Sequence, residues 1–201
     1  TTGDYLLTVT DVNGCTGVTS QNVLVNELPS VVIDFIGETS FCKGNQLVIS
    51  ANDAETYLWS TGEITKSVEI TETGTYTVSI TDANGCVGVS TGINTIVFPL
   101  PSSAVTVIGE LEFCRNDSLI LTADPAKDYL WSTGDSSQTI IVKSSGEYRV
   151  TITDSNGCSA ISSNHIVKVN DLPFTEIVAN GLTSICFGET LILTSGKAVS
   201  Y

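Results

Sequence analysis

The sequence predicts an all-β protein built as a tandem array of β-sandwiches, and three observations carry that prediction. Displaced by 72 residues, the chain overlays itself: Cys42, Cys114 and Cys186 form one series, Trp59 and Trp131 a second, and Cys86 and Cys158 a third, which Cys15 joins one residue out of step. A fixed period of this length marks small units that each solve the same packing problem. Methionine is absent while Thr, Ser, Val, Ile and Gly dominate, which is material for strands and turns rather than helices. The apolar and alternating runs are short and separated by Gly, Asn, Asp and Ser, the pattern of a sandwich.

The period sets the expected boundaries. Residues 1–28 are the C-terminal part of one copy, 29–100 and 101–172 are complete copies opened by Pro29 and Pro101, and 173–201 is the N-terminal part of another, opened by Pro173. Gly3 and Tyr5 then match Gly74 and Tyr76, and Ser200 and Tyr201 match Thr56 and Tyr57, so the chain is expected to be a window of a longer array. The junctions Asn26-Glu27-Leu28-Pro29, Val97-Phe98-Pro99-Leu100-Pro101 and Asn170-Asp171-Leu172-Pro173 are short and carry proline, which holds a linker extended, so a rod is expected.

Within the copy 29–100 the strands follow in order. Val31 to Phe35 reads as strand A, Gln46 to Ser50 as B, Tyr57 to Ser60 as C, Ser67 to Ile70 as E, Thr75 to Thr81 as F and Ile93 to Phe98 as G, with a short extra strand expected near Glu63 to Lys66. Strand F alternates, which puts Tyr76, Val78 and Ile80 on a packed face and Thr75, Thr77, Ser79 and Thr81 on a wet one. Trp59 and Tyr57 share a face of strand C, as do Trp131 and Tyr129, at the same phase in each copy, so the tryptophans are expected to anchor the cores rather than to stack on sugars. Gly74 and Gly146 fit a tight corner before the inward tyrosines Tyr76 and Tyr148. The segment Thr81-Asp82-Ala83-Asn84-Gly85-Cys86 recurs at residues 10–15 and 153–158; Asn-Gly accepts positive φ, so it reads as the turn after strand F. Its Asp and Asn side chains raise calcium as an alternative, but the later glutamate of a calcium loop is missing, so no cofactor is expected.

Eight basic against 22 acidic residues give a net charge of −14, which repels nucleic acid and anionic lipid. The acid is scattered without a run, as on a solvated surface. No apolar run approaches the roughly 20 residues that cross a bilayer, so membrane insertion is not expected of this segment. Six cysteines with no Cys-x-x-Cys and one histidine, His165, read as disulfides rather than a zinc site. Persistent disulfides place the chain in an oxidising compartment, and a small sandwich gains from such crosslinks.

The strings "YLWSTG", "GTYTVSITDANGC" and "FCKGNQLVIS" resemble the immunoglobulin-like and PKD-like repeats of giant cell-surface adhesins of Bacteroidota, including gliding-motility adhesins of the SprB kind, over essentially the whole chain. That resemblance implies immunoglobulin-like sandwiches, export by the type IX secretion system, and an outer-membrane-associated or secreted location. It also implies partners among neighbouring repeats, the secretion or motility machinery, and surface glycans or proteins.

Two disulfide schemes fit the period. Cys42 with Cys86 and Cys114 with Cys158 would close each copy on itself, while Cys42 with Cys158 would staple one copy to the next. In a seven-strand sandwich the A to B and F to G turns lie at opposite poles, roughly 17 to 20 Å apart, beyond the Cα separation of about 7 Å that a disulfide spans. That favours the staple, whereas six strands would restore the intracopy bond.

Gly88-Val89-Ser90-Thr91-Gly92 imitates the nucleophile elbow of hydrolases, but no helix follows and the next copy reads Ala160-Ile161-Ser162-Ser163-Asn164. His165 has Asn94 or a neighbour as its counterpart, so the repeat carries no general base, and no enzyme activity is expected. Asp117-Ser118-Leu119 resembles a short O-glycosylation signal, and Asn116-Asp117-Ser118 matches the N-linked sequon, which makes Ser118 and Asn116 candidate modification sites. Two functions from different classes follow: a structural stalk that spaces an adhesive region from the cell, or a repeated module that binds glycan or protein through exposed loops.

Overall fold

The computed structural model describes residues 1–195, so Ser200 and Tyr201, and their match to Thr56 and Tyr57, lie outside the described residues. No helix occurs among the described residues. The chain divides after Pro99 into two compact units, Thr1–Pro99 and Leu100–Tyr201.

The first unit opens with an exposed hairpin of β1 (Gly3–Thr10) and β2 (Thr16–Val23), paired from Gly3 opposite Val23 to Thr10 opposite Thr16. Its sandwich follows as β3 (Ile33–Phe35), β4 (Ser40–Cys42), β5 (Leu47–Ala51), β6 (Thr56–Trp59), β7 (Ser67–Ile70), β8 (Gly74–Tyr76), β9 (Val78–Thr81), β10 (Val87–Val89) and β11 (Ile93–Phe98). Three sheets are ordered β3-β5-β7, β6-β9-β10 and β4-β11-β8. The second unit repeats them as β12 (Val105–Ile108), β13 (Glu112–Cys114), β14 (Leu119–Ala123), β15 (Asp128–Trp131), β16 (Thr139–Val142), β17 (Gly146–Tyr148), β18 (Val150–Thr153), β19 (Ser159–Ile161) and β20 (His165–Asn170), in sheets β12-β14-β16, β15-β18-β19 and β13-β20-β17. It closes with the hairpin of β21 (Ile177–Ala179) and β22 (Leu193–Ser195).

The strand patterns dictate which side chains go inside. In β5 and β14 alternate residues are buried, giving Leu47, Ile49 and Ala51 and their partners Leu119, Leu121 and Ala123. Trp59, Val68, Ile70, Tyr76, Val78 and Ile80 complete the first core, and Trp131, Ile140, Val142, Tyr148, Val150 and Ile152 fill the same places 72 residues on. The second core adds Val167, whose counterpart Thr95 is also buried but donates its hydroxyl to the Glu72 carbonyl at 2.9 Å. Both cores are therefore the same jigsaw, and the molecule is an all-β array of immunoglobulin-like sandwiches.

Three features depart from the expected strands. The expected F strand breaks at Thr77: β8 pairs with β11, whereas β9 pairs with β6 and β10, so the strand passes from one sheet to another. Ser60 holds the break by donating its N–H to the Thr77 carbonyl at 2.9 Å and accepting the Thr77 N–H on its hydroxyl. Residues 63–66 form no strand; they run back as irregular chain, fixed where the Trp59 backbone N–H meets the Glu63 carbonyl and the Trp59 indole Nε1–H donates to the Thr65 carbonyl at 2.8 Å. The third departure is the pair of short strands β4 and β10, which lie in stretches expected to be loops.

Candidate functional site

The recurring chemistry of this chain lies in its cysteines, which mark the two poles of each sandwich. Cys42 ends β4, which runs parallel to β11 with Cys42 opposite Phe98, and the Lys43 N–H donates to the Phe98 carbonyl at 2.8 Å. Gly44 at φ 98° then turns the chain, and the Asn45 N–H returns to the Cys42 carbonyl. The second unit places Cys114 opposite Asn170 in the same way, with Asn116 at φ 88° in place of the glycine, a conformation that asparagine tolerates better than most side chains. Cys186 and Gly188 begin a third such turn, closed by the Glu189 N–H on the Cys186 carbonyl.

The other cysteine series sits at the opposite pole. In the turn after β9 one carboxylate oxygen of Asp82 accepts the N–H groups of Asn84 and Cys86, both at 2.9 Å, while Gly85 takes φ 80°. Asp11 and Asp154 hold Cys15 and Cys158 identically. This turn lies by the start of the copy: a Cβ on Gly88, just beyond it, would come 2.3 Å from the Pro29 carbonyl oxygen, and the Ser103 hydroxyl donates to Ile161 in the second unit.

The distance between poles follows from strand F. Phe98 is beside the start of F, since the Val97 N–H donates to the Thr73 hydroxyl, whereas Cys86 follows its end at Thr81. The seven steps from Gly74 to Thr81 at about 3.3 Å each separate them by roughly 20 Å, well beyond disulfide reach. Cys42 and Cys158 are disulfide-bonded, and Cys15, Cys86, Cys114 and Cys186 are free thiols. Neither Cys42–Cys86 nor Cys114–Cys158 is formed, because Cys86 and Cys114 are free. Losing the expected extra strand does not bring the two turns to one pole, because irregular residues 63–66 make the same return journey that a seventh strand would make.

The remaining candidates occupy these positions. Trp59 and Trp131 are buried in the cores. The hydroxyls of Tyr76 and Tyr148 donate to the carbonyls of Glu72 and Ser144 at 3.0 Å, a tyrosine corner, and the ring of Tyr76 packs so close to Gly74 that a Cβ there would touch it at 3.3 Å. Ser90 of the elbow-like string is buried: its hydroxyl accepts the Val78 N–H at 3.0 Å and its N–H donates to the Val78 carbonyl, closing the point where the chain leaves β10 for β11. Ser162 does the same for Val150. His165 faces Tyr148 in register as Ile93 faces Tyr76, so its counterpart is Ile93 rather than Asn94, and its Nε2 is buried without a hydrogen-bond partner. Ser118 is exposed in the turn before β14.

Charge pairs at the surface stitch edges. Hydrogen bonds from Asn170 and then Lys168, together with the Lys168 charge, hold Glu112 below the usual carboxylate range. Lys66 lowers Asp53 and Asp53 raises Lys66 through their shared hydrogen bond and charge, and Ser137 lowers Asp135 by hydrogen bonding through its hydroxyl and backbone N–H. Among the described residues no group of three or more His, Cys, Asp or Glu gathers as a metal site, and no helix is long and apolar enough to cross a membrane. A groove of about 460 Å³ beside Cys42 is lined by Lys43, Asn45, Gln46, Glu72 and Thr73. Its second-unit counterparts are Arg115, Asp117, Ser118, Ser144 and Ser145, a different chemistry.

No protein-family model and no curated protein matches the chain. Among solved structures it is similar to an adhesin that helps an Antarctic bacterium reach out and bind ice, with 15% identity over 90% of this chain and 60% of that one and a TM-score of 0.45. It is also similar to murine CEACAM1b, at 15% identity over 70% of this chain and 100% of that one with a TM-score of 0.32. The fibronectin(III)-like modules of Clostridium thermocellum CbhA match at 19% identity, over 70% of this chain and 95% of theirs, with a TM-score of 0.29. These likenesses concern sandwich architecture, not ligands.

Proposed function

We propose that this chain is a non-catalytic stalk segment of a large secreted or cell-surface adhesin, in which copies of one sandwich are joined end to end to space an adhesive region from the cell. The observation that carries this reading is that two sandwiches with the same core and the same strand order follow each other in the chain. In this reading Cys42 and Cys158, which belong to consecutive copies, are joined as a staple, a pairing supported by the placement of the two turns at opposite poles of each copy. Cys42 stands where its copy ends, beside Phe98, and Cys158 stands by the start of the next, so the bond staples a junction that proline already keeps short. Closing a loop of about 116 residues stabilises the folded state by about 4 to 5 kcal/mol on loop-closure entropy. In a longer array, Cys86 and Cys114 are the equivalent halves of staples to further copies.

The boundaries 1–28, 29–100, 101–172 and 173–201 belong to this reading. So do a type IX export route, a role in gliding motility and an outer-membrane-associated location, all supported by the resemblance of the repeated strings. Ser118, exposed beside the Cys114 turn, is the proposed glycan acceptor, and intact mass reveals any sugar on it.

Binding by exposed loops is the competing reading, and the unlike residues that the second copy carries at the positions lining the first copy's groove speak for the spacer, because a repeated binding site needs repeated contacts. A glycan array probed with the two-copy protein tests this. The stalk reading expects no retained glycan, and reproducible binding abolished by changing Lys43 or Glu72 would replace it with the binding module.

A further inference from the structure

The sheet β12-β14-β16 has an outer face whose register sets like beside like. Thr106 stands beside Thr122 and Thr122 beside Thr139, while Ile108 stands beside Ile120 and Ile120 beside Ile141. These six residues lie on the face away from the core, because the residues alternating with them in β14 and β16 are buried in it. Ile108 and Ile141 are 58% and 63% exposed. Neither row carries a charge, although the chain carries −14. Past the isoleucines, the same end of the sheet holds Glu110 after β12, Ser118 before β14 and Lys143 after β16. Neither Glu110 nor Lys143 belongs to an ion pair among the described residues. The equivalent rows of the first sandwich, 72 residues earlier, read Asp34, Ser50, Ser67 and Ile36, Val48, Glu69, so acid enters both.

We infer that the outer face of β12-β14-β16 takes the same face of a second copy of this chain. A two-fold axis between two such faces, parallel to the strands, sets β12 of each copy over β16 of the other. Ile108 then meets Ile141 of the second copy, Ile120 meets its own equivalent, the threonine rows meet in the same way, and Glu110 comes opposite Lys143 at both edges. Sheets stacked with aligned strands lie about 10 Å apart, a gap that such side chains fill. The Thr122 and Thr139 hydroxyls already bond each other at 3.1 Å, which lowers the cost of covering them. An uncharged face lets two acidic chains approach, and the opposite charges at its edges fix which way round they pair. Strands about 4.8 Å apart and like-facing residues about 6.6 Å apart give a patch of roughly 300 Å² per copy, against roughly 800 Å² per partner in a stable interface. The pairing is therefore weak and reversible. The same axis on the first sandwich would bury Asp34 and Glu69, so that face does not pair. Ser118 stands between Glu110 and Lys143, so a sugar there would hold the faces apart. The surface serves a stalk and a binding module alike, so it does not depend on which of the two the chain is.

Carbodiimide coupling of the full 201-residue chain, unmodified at Ser118 and with its free thiols alkylated, tests the inference. The reagent activates a carboxylate, a lysine amine in contact with it displaces the urea, and an amide forms with net loss of water. In a mixture of ordinary and heavy-nitrogen-labelled protein, the expected product is a Glu110–Lys143 peptide pair with one member from each. Sedimentation at rising concentration is expected to show a dimer. Its association should weaken about tenfold or more in Glu110→Lys, where like charges meet, and return when Glu110→Lys is combined with Lys143→Glu. Ile141→Glu, at a position exposed in the single molecule and so harmless to folding, should abolish the dimer, whereas Val48→Glu in the first sandwich should leave it unchanged. A chain still monomeric at about 1 mM, a Glu110–Lys143 link found only within single molecules, or a double variant no better than the single one overturns the inference.

Discussion

One oxygen of Asp82 accepts two backbone N–H groups in the turn before Cys86, and Asp154 repeats the arrangement before Cys158. Asp82→Ala removes both bonds at once and is expected to lower stability by about 1 to 3 kcal/mol; Asp82→Asn, which keeps the acceptor oxygen, should lose much less. Urea denaturation of the two variants checks this. His165 offers the opposite sign: its buried Nε2 has no partner, while the sister copy fills the place with Ile93. His165→Ile should therefore raise the melting temperature, and a fall would show that the imidazole is satisfied in solution. The Asp-Asn-Gly turn was legible in the sequence because φ > 0 and a local acceptor are properties of adjacent residues. Ser90 was not, since its partner Val78 lies across a sheet switch and nothing in Gly-Val-Ser-Thr-Gly announces a buried hydroxyl.

At the scale of elements, periodicity located strands A, B, C, E and G because each has one wet and one packed face. It did not locate β4 or β10, whose ladders are three residues long, nor the break of strand F at Thr77, where the alternation of Tyr76, Val78 and Ile80 continues while the hydrogen-bonding partner changes. Burial is read in the pattern of a strand, but pairing is decided by residues elsewhere. Tyr76→Phe keeps the ring and removes its bond to the Glu72 carbonyl, so a loss of about 1 kcal/mol is expected. Trp59→Ala should cost about 3 to 5 kcal/mol, since the indole fills the first core and also ties down residues 63–66. The edge contact of β13 with β20 responds to acid. Glu112 has a lowered folded-state pKa, so its contribution is present above the unfolded value and is lost as pH falls through the folded one. Glu112→Gln should therefore matter slightly at neutral pH and progressively less as pH falls through the folded-state pKa, and salt should shrink even the neutral difference, because the pair is exposed.

At the scale of the molecule, the sequence period and the two matched cores describe one unit used repeatedly, and the function assigned to it depends on how the units are linked. The choice between cysteine schemes could not be made from strand counting, because residues 63–66 cross the sandwich without being a strand. The position of each cysteine along strand F, with Cys42 beside its start and Cys86 past its end, puts the two at opposite poles of one copy and supports the staple that is proposed. Non-reducing peptide mapping of the alkylated protein tests this central claim most directly. The account predicts one crosslinked pair of peptides, carrying Cys42 and Cys158, with the other four cysteines alkylated. A crosslink of Cys42 to Cys86, or of Cys114 to Cys158, would contradict it.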